Sequence, residues 1–513
     1  MAESLFVGGG GDSYATPQQL LLKYGNRHGL IAGATGTGKS VTLQILAEAF
    51  SSEGVPVFLT DIKGDMSGIA AAGSSDSKLH QAFSDRATMI GYADFTYRAF
   101  PTIFWDLFGE QGHPIRATVA EMGPLLLARM LELTDAQEGV LNIAFRIADE
   151  EGLPLLDLKD LQQLLLWVGE HASEISLRYG NVAPATIGSI QRQLLVLENQ
   201  GALNLFGEPA LELNDLMRTT TDGRGVVSVL ASDKLMQSPR LYATFLLWLL
   251  SELFEDLPEV GDPDKPKLVF FFDEAHLLFR DAPKALLAKV EQVARLIRSK
   301  GVGVFFITQN PDDVPDLILG QLGNRIQHAL RAYTDRDLEA LRKASATYRP
   351  NPRFNTADAI RDVGTGEAVT SFLEAKGAPA IVERTLIRPP VSQLGPLSPE
   401  QRKSVMLASP VSGKYETALD RESAYEILVA RADKASKEAA AADEEAARKK
   451  ELEDSMKGRR YERTWDVDQP SGRPAKEKPG IFSEVTTVIV KELKGTTGKR
   501  IVRGILGGLF KSR

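Results

Sequence analysis

The octapeptide Gly33-Ala34-Thr35-Gly36-Thr37-Gly38-Lys39-Ser40 decides the fold, because it fills every position of the phosphate-binding loop pattern G-x4-G-K-[ST]. A short apolar run, residues 29–32, comes directly before it, and the apolar spacing of residues 41–50 predicts a helix after it. The pattern carries meaning only between a strand and a helix, so a chance glycine loop is the weaker interpretation.

Each residue type in this loop has a chemical task. Glycines let backbone N–H groups surround a phosphate, and the positive end of the following helix points at the same place. We expect Lys39 to reach the β- and γ-phosphates and to act in catalysis, and Ser40 to ligate Mg²⁺. The expected cofactors are ATP and Mg²⁺, and the expected nucleotide-binding residues are Gly33, Ala34, Thr35, Gly36, Thr37, Gly38, Lys39, Ser40 and Val41.

An acidic pair, Asp273-Glu274, follows the five apolar residues 268–272. Ligands of open α/β sheets bind at the carboxyl ends of the strands. We expect Asp273 to hold Mg²⁺ through water and Glu274 to polarise the water that attacks the γ-phosphate. A solvated acidic turn is the alternative, and the phosphate-binding loop weakens it. The pair favours hydrolysis over phosphate transfer to a second substrate.

Two other strand ends carry polar residues. Gln309 follows the apolar run 302–308, and we expect it to sense the γ-phosphate and couple it to motion. A simple polar strand end is the alternative for Gln309. Asp61 follows the run 55–60 and could contact the metal-bound water or an adjacent subunit. A turn formed by residues 63–65 is an equally good interpretation of that segment.

The remaining pattern predicts an α/β fold with a mostly parallel sheet. Short apolar runs rich in β-branched and aromatic residues suit strands that are covered on both faces. Residues from about 115 to 220 are Leu-rich at helical spacing and predict a helical insertion between strands. Residues 367–388 indicate a terminal pair of strands. The predicted buried strands include residues 55–60, 102–107, 226–230, 268–272 and 302–308.

Composition changes after Pro389-Pro390, and we divide the chain accordingly. Residues 1–395 are the predicted core, and residues 396–431 a helical extension with one helix near 423–431. Residues 432–480, dominated by Ala, Glu, Lys and Arg, predict a solvated helix or disordered linker. Residues 481–513 predict a basic amphipathic tail for a protein or membrane contact, with packing on the chain's own core as the alternative.

Composition also excludes several classes of protein. The chain has 513 residues, too many for one compact core, and a net charge of −8, which argues against a uniformly basic nucleic-acid binder. It has no cysteine, which excludes disulfides and thiolate metal sites. The amino terminus lacks the features of a signal peptide, and no apolar stretch is long enough to span a bilayer, so we expect a cytoplasmic protein.

The chain carries a series of motifs: NRHG before the loop, GATGTGKS, TDIKGD, FFFDEAH, ITQNPDDVP and GNRIQHALRAYT. Together these motifs resemble the HerA/FtsK superfamily of ATPases, and more narrowly the YjgR-type branch of HerA-like helicase C-terminal domain proteins. The resemblance runs from about residue 20 to about residue 430. It implies a RecA-like motor core, a ring-shaped homo-oligomer that is expected to be a hexamer, and ATP sites between subunits.

The resemblance also implies arginines that stabilise transition-state charge across the subunit interface. By motif position these are Arg27, twelve residues before Lys39, and Arg298; an interface ion pair is the alternative for each. Arg325 and Arg331 are weaker options. Only 32 residues precede Gly33. We therefore expect this chain to lack the N-terminal β-barrel of the HerA translocases, which argues against their usual nuclease partnership.

Two functions remain open from the sequence. The first is a ring-shaped DNA translocase or helicase, for which a few pore-facing Lys or Arg residues per subunit would suffice. The sequence shows no signature of base readout. The second is a nucleotide-operated assembly or scaffold ATPase that acts on a protein or membrane partner.

Overall fold

The structure is a computed structural model that describes residues 3–261, 263–279 and 284–461. The chain divides into two units, one up to Ala435 and the other from Ser436 onward. Within the described residues, no helix is long and apolar enough to cross a lipid bilayer.

A single mixed sheet organises the first unit. Its order is β2-β1-β12-β11-β10-β3-β9-β8-β4-β7-β5-β6. The strands from β10 to β6 pair in parallel, whereas β2, β1, β12 and β11 pair antiparallel, as does β11 with β10. The described strands are β1 (Ser4–Gly10), β2 (Thr16–Leu21), β3 (Gly29–Ala32), β4 (Val57–Asp61), β5 (Thr102–Asp106), β6 (His113–Pro114), β7 (Val227–Ala231), β8 (Leu268–Phe272), β9 (Val302–Thr308), β10 (Asn324–Gln327), β11 (Glu367–Ser371) and β12 (Glu383–Ile387).

Helices cover both faces of this sheet, and the predicted α/β fold with a mostly parallel sheet is confirmed. A run of helices, α3 to α8, lies between β6 and β7 in the chain. The α-helices are α1 (Lys39–Ser52), α2 (His80–Met89), α3 (Val119–Met130), α4 (Asp135–Glu151), α5 (Leu158–Glu170), α6 (Ala172–Tyr179), α7 (Pro184–Asn199), α8 (Leu213–Leu216), α9 (Pro239–Asp256), α10 (His276–Phe279), α11 (Lys284–Leu296), α12 (Asp316–Leu319), α13 (Asp335–Ala346), α14 (Thr356–Asp362), α15 (Pro399–Leu407) and α16 (Ala424–Tyr461).

The central strands divide the core between the two faces of the sheet. In β8, Leu268, Phe270 and Phe272 join one apolar cluster, which extends into the helices between β6 and β7. Val269 and Phe271 join the other cluster, which packs against α1. Alternate side chains of a strand point to opposite faces, so five consecutive apolar residues require cover on both sides. This burial fixes where β8 ends and hence where the acidic pair begins.

The segment after β12 packs back against the helices between β6 and β7. Lys414 Nζ lies 2.7 Å from Asp215 Oδ2, and the Tyr415 hydroxyl donates to the same oxygen at 2.6 Å. Ser423 Oγ donates to Asp160 Oδ1 at 2.5 Å. Tyr415 and Asp215 are both buried, so these contacts anchor residues 396–431 to the helical part of the core.

The structure contains elements that the sequence pattern did not predict. Strands β1 and β2 precede the first predicted strand, and β10 has only one strongly apolar residue, Ile326. Residues 396–431 contain α15 in addition to the start of α16, so the expectation of a single helix there was wrong. Ser398 caps α15 by accepting a hydrogen bond from the Gln401 N–H, a local signal that the apolar pattern does not include.

The predicted charged linker, residues 432–480, is helical in its first part. Helix α16 continues to Tyr461, and residues 432–456 are exposed. Few large apolar residues occur in residues 432–456, so this part of the helix has no continuous apolar face to bury, unlike its first turns, where Ala424 and Leu428 are buried. Residues 462–480, and the predicted basic tail 481–513, lie outside the described residues.

Candidate nucleotide-hydrolysis site

The phosphate-binding loop leaves the sheet between β9 and β10. Gly33 N–H donates to the Thr308 carbonyl at 3.3 Å, and Ala34 N–H donates to the Ala329 carbonyl at 2.8 Å. Gly33 has φ 152°, and a Cβ there would lie 2.5 Å from the Cβ of His328. Gly38 has φ 115° and caps the start of α1 without a side-chain bond. Both positions therefore require glycine, one because of close approach and the other because of its left-handed backbone.

Lys39 is the first residue of α1, and its side chain folds back over the loop. Its Nζ donates to the carbonyls of Gly33 at 2.7 Å and Ala34 at 3.1 Å. Burial lowers the pKa of Lys39, whereas the negative charges of Glu274 and Asp273 act to raise it. The lysine and the acidic pair therefore share one electrostatic environment, as expected for groups that face the same ligand.

The acidic pair lies directly after β8, at the same edge of the sheet. Burial and the neighbouring Glu274 charge raise the pKa of Asp273 to about 6, while its bond from Glu274 N–H and the charges of Lys63 and Lys39 lower it. Gln309, which follows β9, places its Nε2 3.4 Å from both carboxylate oxygens of Glu274. The structure thus brings together Lys39, Asp273, Glu274 and Gln309.

The segment after β4 forms a turn and also faces this site. Asp61 Oδ2 accepts a hydrogen bond from Met66 N–H at 3.1 Å, and burial together with the Asp65 charge raises the pKa of Asp61 to about 7. Lys63 is exposed, but its charge lowers the pKa of both Asp273 and Lys39. Residues 63–65 therefore form a turn, and the charge of Lys63 in that turn also acts on the site.

The two predicted arginines lie at the opposite edge of the sheet. Arg27 comes before β3, and Arg298 comes before β9 in a short 3-10 helix, Ile297–Lys300. Asn26 Nδ2 donates to the Arg298 carbonyl at 3.3 Å. Burial lowers the pKa of His28 to about 4, and the charges of Arg298 and Arg27 add to this effect. Strand β3 separates Arg27 from the phosphate-binding loop, and β9 separates Arg298 from the same edge, so neither arginine lies beside the loop of its own chain.

His328 packs against the phosphate-binding loop, although no role is predicted for it from the sequence pattern. Its Nδ1 lies 2.9 Å from the Glu367 carbonyl, which can only accept, so this nitrogen carries the proton. Its Nε2 therefore accepts the hydrogen bond from Thr42 Oγ1, 2.8 Å away on α1. Burial, together with the Lys39 charge, lowers the pKa of His328 to about 4. The neutral imidazole thus connects β11 to the helix that carries Lys39.

Comparison with known proteins identifies the family. A model of the family described as Helicase HerA-like C-terminal matches residues 10–513. The chain belongs to this family. A search of the curated proteins found no match.

This HerA-like chain is also similar to solved structures. VirB4 of Thermoanaerobacter pseudethanolicus is 16% identical with a TM-score of 0.47, and the similarity covers 78% of this chain and 98% of that one. The plasmid coupling protein TrwB, solved in complex with the non-hydrolysable GTP analogue GDPNP, is 15% identical with a TM-score of 0.49; the similarity covers 78% of this chain and 92% of TrwB.

The His328 contact predicts a specific dependence of stability on pH. The pKa of His328 lies at about 4 in the folded chain against 6.5 for the free side chain. Below pH 6.5 the unfolded state binds the proton more strongly, so the stability that neutral His328 contributes is present above pH 6.5 and is lost as pH falls towards 4. The loss over this window should be on the order of 3 kcal/mol.

The measurement is the free energy of unfolding in denaturant, from pH 7.5 to pH 4.5, for the wild type and His328→Gln. The wild type should lose its advantage over the variant as pH falls. His80→Gln is the control, because His80 is only partly buried and contacts Tyr97, remote from the loop. A constant difference between wild type and His328→Gln across this range would contradict the assignment.

Proposed function

We propose that this HerA-like protein is a Mg²⁺-dependent ATPase that hydrolyses ATP between the phosphate-binding loop and the Asp273-Glu274 turn. The observation that carries the proposal is the convergence of Lys39, Glu274 and Gln309 at one sheet edge, with Gln309 3.4 Å from both Glu274 carboxylate oxygens. A loop of this sequence and backbone suits a phosphate, and a carboxylate beside it suits activation of water.

The residues present fit ATP and Mg²⁺. The first N–H groups of α1 point towards the loop, as they do at the start of any helix. Gly38 has no side chain to cap them, so they suit phosphate oxygens. The Ser40 hydroxyl and the Asp273 carboxylate are the oxygen donors that Mg²⁺ prefers, and we assign both to the metal. When bound, the ion neutralises charge that develops on the phosphates.

The chain's own groups perform the remaining steps. Lys39 holds the β- and γ-phosphates, and the remaining loop residues and Val41 surround the nucleotide. Glu274 accepts a proton from the attacking water, whose oxygen forms a bond to the γ-phosphorus while the bond to the bridging oxygen breaks and ADP leaves. Gln309 orients Glu274 and reports the loss of the γ-phosphate. Phosphoryl transfer needs positioning more than covalent chemistry, and this set supplies it.

The same site favours a homo-oligomer. Arg27 and Arg298 lie at the edge opposite to their own phosphate-binding loop, so either arginine would stabilise transition-state charge only in a neighbouring subunit. A closed ring gives every subunit such a neighbour. The family resemblance implies six subunits. We propose that the ring translocates or unwinds DNA, which the helicase named in the family description supports.

Hydrolysis is tested by two substitutions with different expected effects. Lys39→Ala should weaken ATP binding or turnover, because it removes positive charge from the phosphates. Glu274→Gln should retain ATP binding but lower turnover by about a hundredfold or more, because only activation of water is lost. Steady-state ATPase assays and equilibrium binding of a fluorescent ATP analogue measure the two effects. Glu259→Gln, an exposed glutamate, is the matched control. Near-normal turnover by Glu274→Gln would refute the assignment.

Catalysis across subunits is tested by mixing inactive chains. Arg27→Ala chains keep their loop and Lys39→Ala chains keep their arginine, so a 1:1 mixture that exchanges subunits should regain about a quarter of the competent sites. The same test applies to Arg298→Ala. The control mixes Lys39→Ala with an Arg27→Ala/Lys39→Ala double variant, which cannot complete any site. Lack of recovery with both arginines, or full activity in a strictly monomeric wild type, would contradict the proposal.

The DNA proposal is tested by stimulation of ATP hydrolysis. Duplex DNA should raise the ATPase rate severalfold at low salt, and the effect should decline as salt is added, because phosphate contacts release counterions. Anionic lipid vesicles serve as the comparison. Stimulation by vesicles without stimulation by DNA would instead favour the assembly or scaffold ATPase.

A further inference from the structure

A fully buried tyrosine hydroxyl lies behind the acidic turn. Tyr242 belongs to α9, and its side chain has no exposed surface. Its hydroxyl lies 3.0 Å from Thr60 Oγ1 and 3.0 Å from the Asp273 carbonyl oxygen. A buried hydroxyl is costly unless it is hydrogen-bonded, so these two partners specify where the Tyr242 side chain sits. Thr60 belongs to β4, and Asp273 is the residue that directly follows β8.

Thr60 binds the backbone N–H of Asp273, the residue whose carbonyl contacts Tyr242. It is fully buried near the end of β4, and its Oγ1 accepts a hydrogen bond from Asp273 N–H at 3.0 Å. Both backbone polar groups of Asp273 are therefore engaged, the N–H by Thr60 and the carbonyl by Tyr242. A small network of this kind in a low-dielectric interior rigidifies the groups that it joins.

The peptide group that follows needs this support. The Asp273 carbonyl and the Glu274 N–H form one rigid plane, and that N–H donates to Asp273 Oδ1 at 2.9 Å. Glu274 has φ 48°, in the left-handed region that costs a non-glycine residue about 1 kcal/mol. Such a conformation persists only where its surroundings determine it. The tyrosine hydroxyl acts on the plane whose orientation sets this φ angle.

We propose that Tyr242 is a positioning residue for hydrolysis, which with Thr60 fixes the Asp273–Glu274 peptide and thereby aims the Glu274 carboxylate. The inference rests on the proposed function, because it assigns Tyr242 an effect only through Glu274. Helix α9 also packs against α3, the first helix of the run between β6 and β7. The same hydroxyl therefore connects α9, which packs on those helices, to the peptide that carries Glu274.

The test is Tyr242→Phe, which retains the ring and its packing but removes the hydroxyl. We expect kcat to fall by about tenfold, because the variant loses one buried hydrogen bond that positions Glu274 in the transition state. The affinity for a fluorescent ATP analogue should stay unchanged, because the phosphate-binding loop is intact. Tyr415→Phe is the matched control. Tyr415 is equally buried, and its hydroxyl bonds Asp215, so that variant should lose stability without losing kcat.

Thr60 variants provide a second and independent reading. Thr60→Ser retains the hydroxyl and should keep most of the turnover. Thr60→Val has a similar volume but no hydroxyl, so its turnover should fall. The double variant Thr60→Val/Tyr242→Phe should lose less than the product of the two single effects, because the residues hold one peptide. If Tyr242→Phe fails to fold, the Ser and Val pair at position 60 decides the question alone.

The possible outcomes distinguish a failure of the positioning role of Tyr242 from a failure of the proposed ATPase function. Wild-type kcat in Tyr242→Phe, or equal activity of Thr60→Ser and Thr60→Val, overturns the positioning role while leaving the ATPase assignment in place. A parallel loss of melting temperature and kcat in both Tyr242→Phe and Tyr415→Phe also overturns it, since general destabilisation would explain the result. Failure of the wild-type chain to hydrolyse ATP overturns both proposals.

Discussion

The site depends on hydrogen bonds at the carboxyl end of one central strand. The Thr308 carbonyl of β9 accepts from Gly33 N–H at 3.3 Å, and the Ile307 carbonyl accepts from Ala275 N–H at 2.9 Å. Strand β9 thus fixes the start of the phosphate-binding loop on one side and the end of the acidic turn on the other. Parallel pairing makes this possible, because neighbouring parallel strands end at the same edge.

Electrostatics then link the parts that β9 brings together. Asp273 and Lys39 are both partly desolvated, and each has the pKa shift expected of a buried charge, upward for the acid and downward for the lysine. The Lys39 charge limits the rise in the pKa of Asp273, and the Asp273 charge limits the fall in the pKa of Lys39. Acidic and basic groups therefore lie close together at one position, which suits a ligand that carries both negative phosphates and a positive metal ion.

The two edges of the sheet have different roles in this arrangement. The carboxyl edge collects Lys39, Asp273, Glu274 and Gln309, whereas the amino edge holds Arg27 and Arg298 around the buried His28. A single chain therefore separates the proposed base from the proposed arginines by the length of a strand. Assembly in a ring would bring the amino edge of one subunit to the carboxyl edge of the next, which is why oligomerisation and catalysis are linked in the proposed function.

The sequence by itself determined the elements whose signal is local. The glycine spacing of the phosphate-binding loop, the five apolar residues before Asp273-Glu274 and the alternation of strands and helices each lie within a few consecutive residues, so they predict the α/β fold and most of the candidate site. Only the tertiary structure decided the contributions of His328 and Tyr242. Thr42 lies 286 residues from His328, and Thr60 lies 182 residues from Tyr242. Helix α9 is apolar on nearly every side, so no periodicity marks its single tyrosine, Tyr242, as the partner of the acidic turn. Strand β10 has a polar sequence, and its burial comes from the neighbouring strands β3 and β11. The physical reason is the same in each case: these contacts form between segments that are distant in the chain, and local residue patterns contain no information about which distant segment will supply the partner.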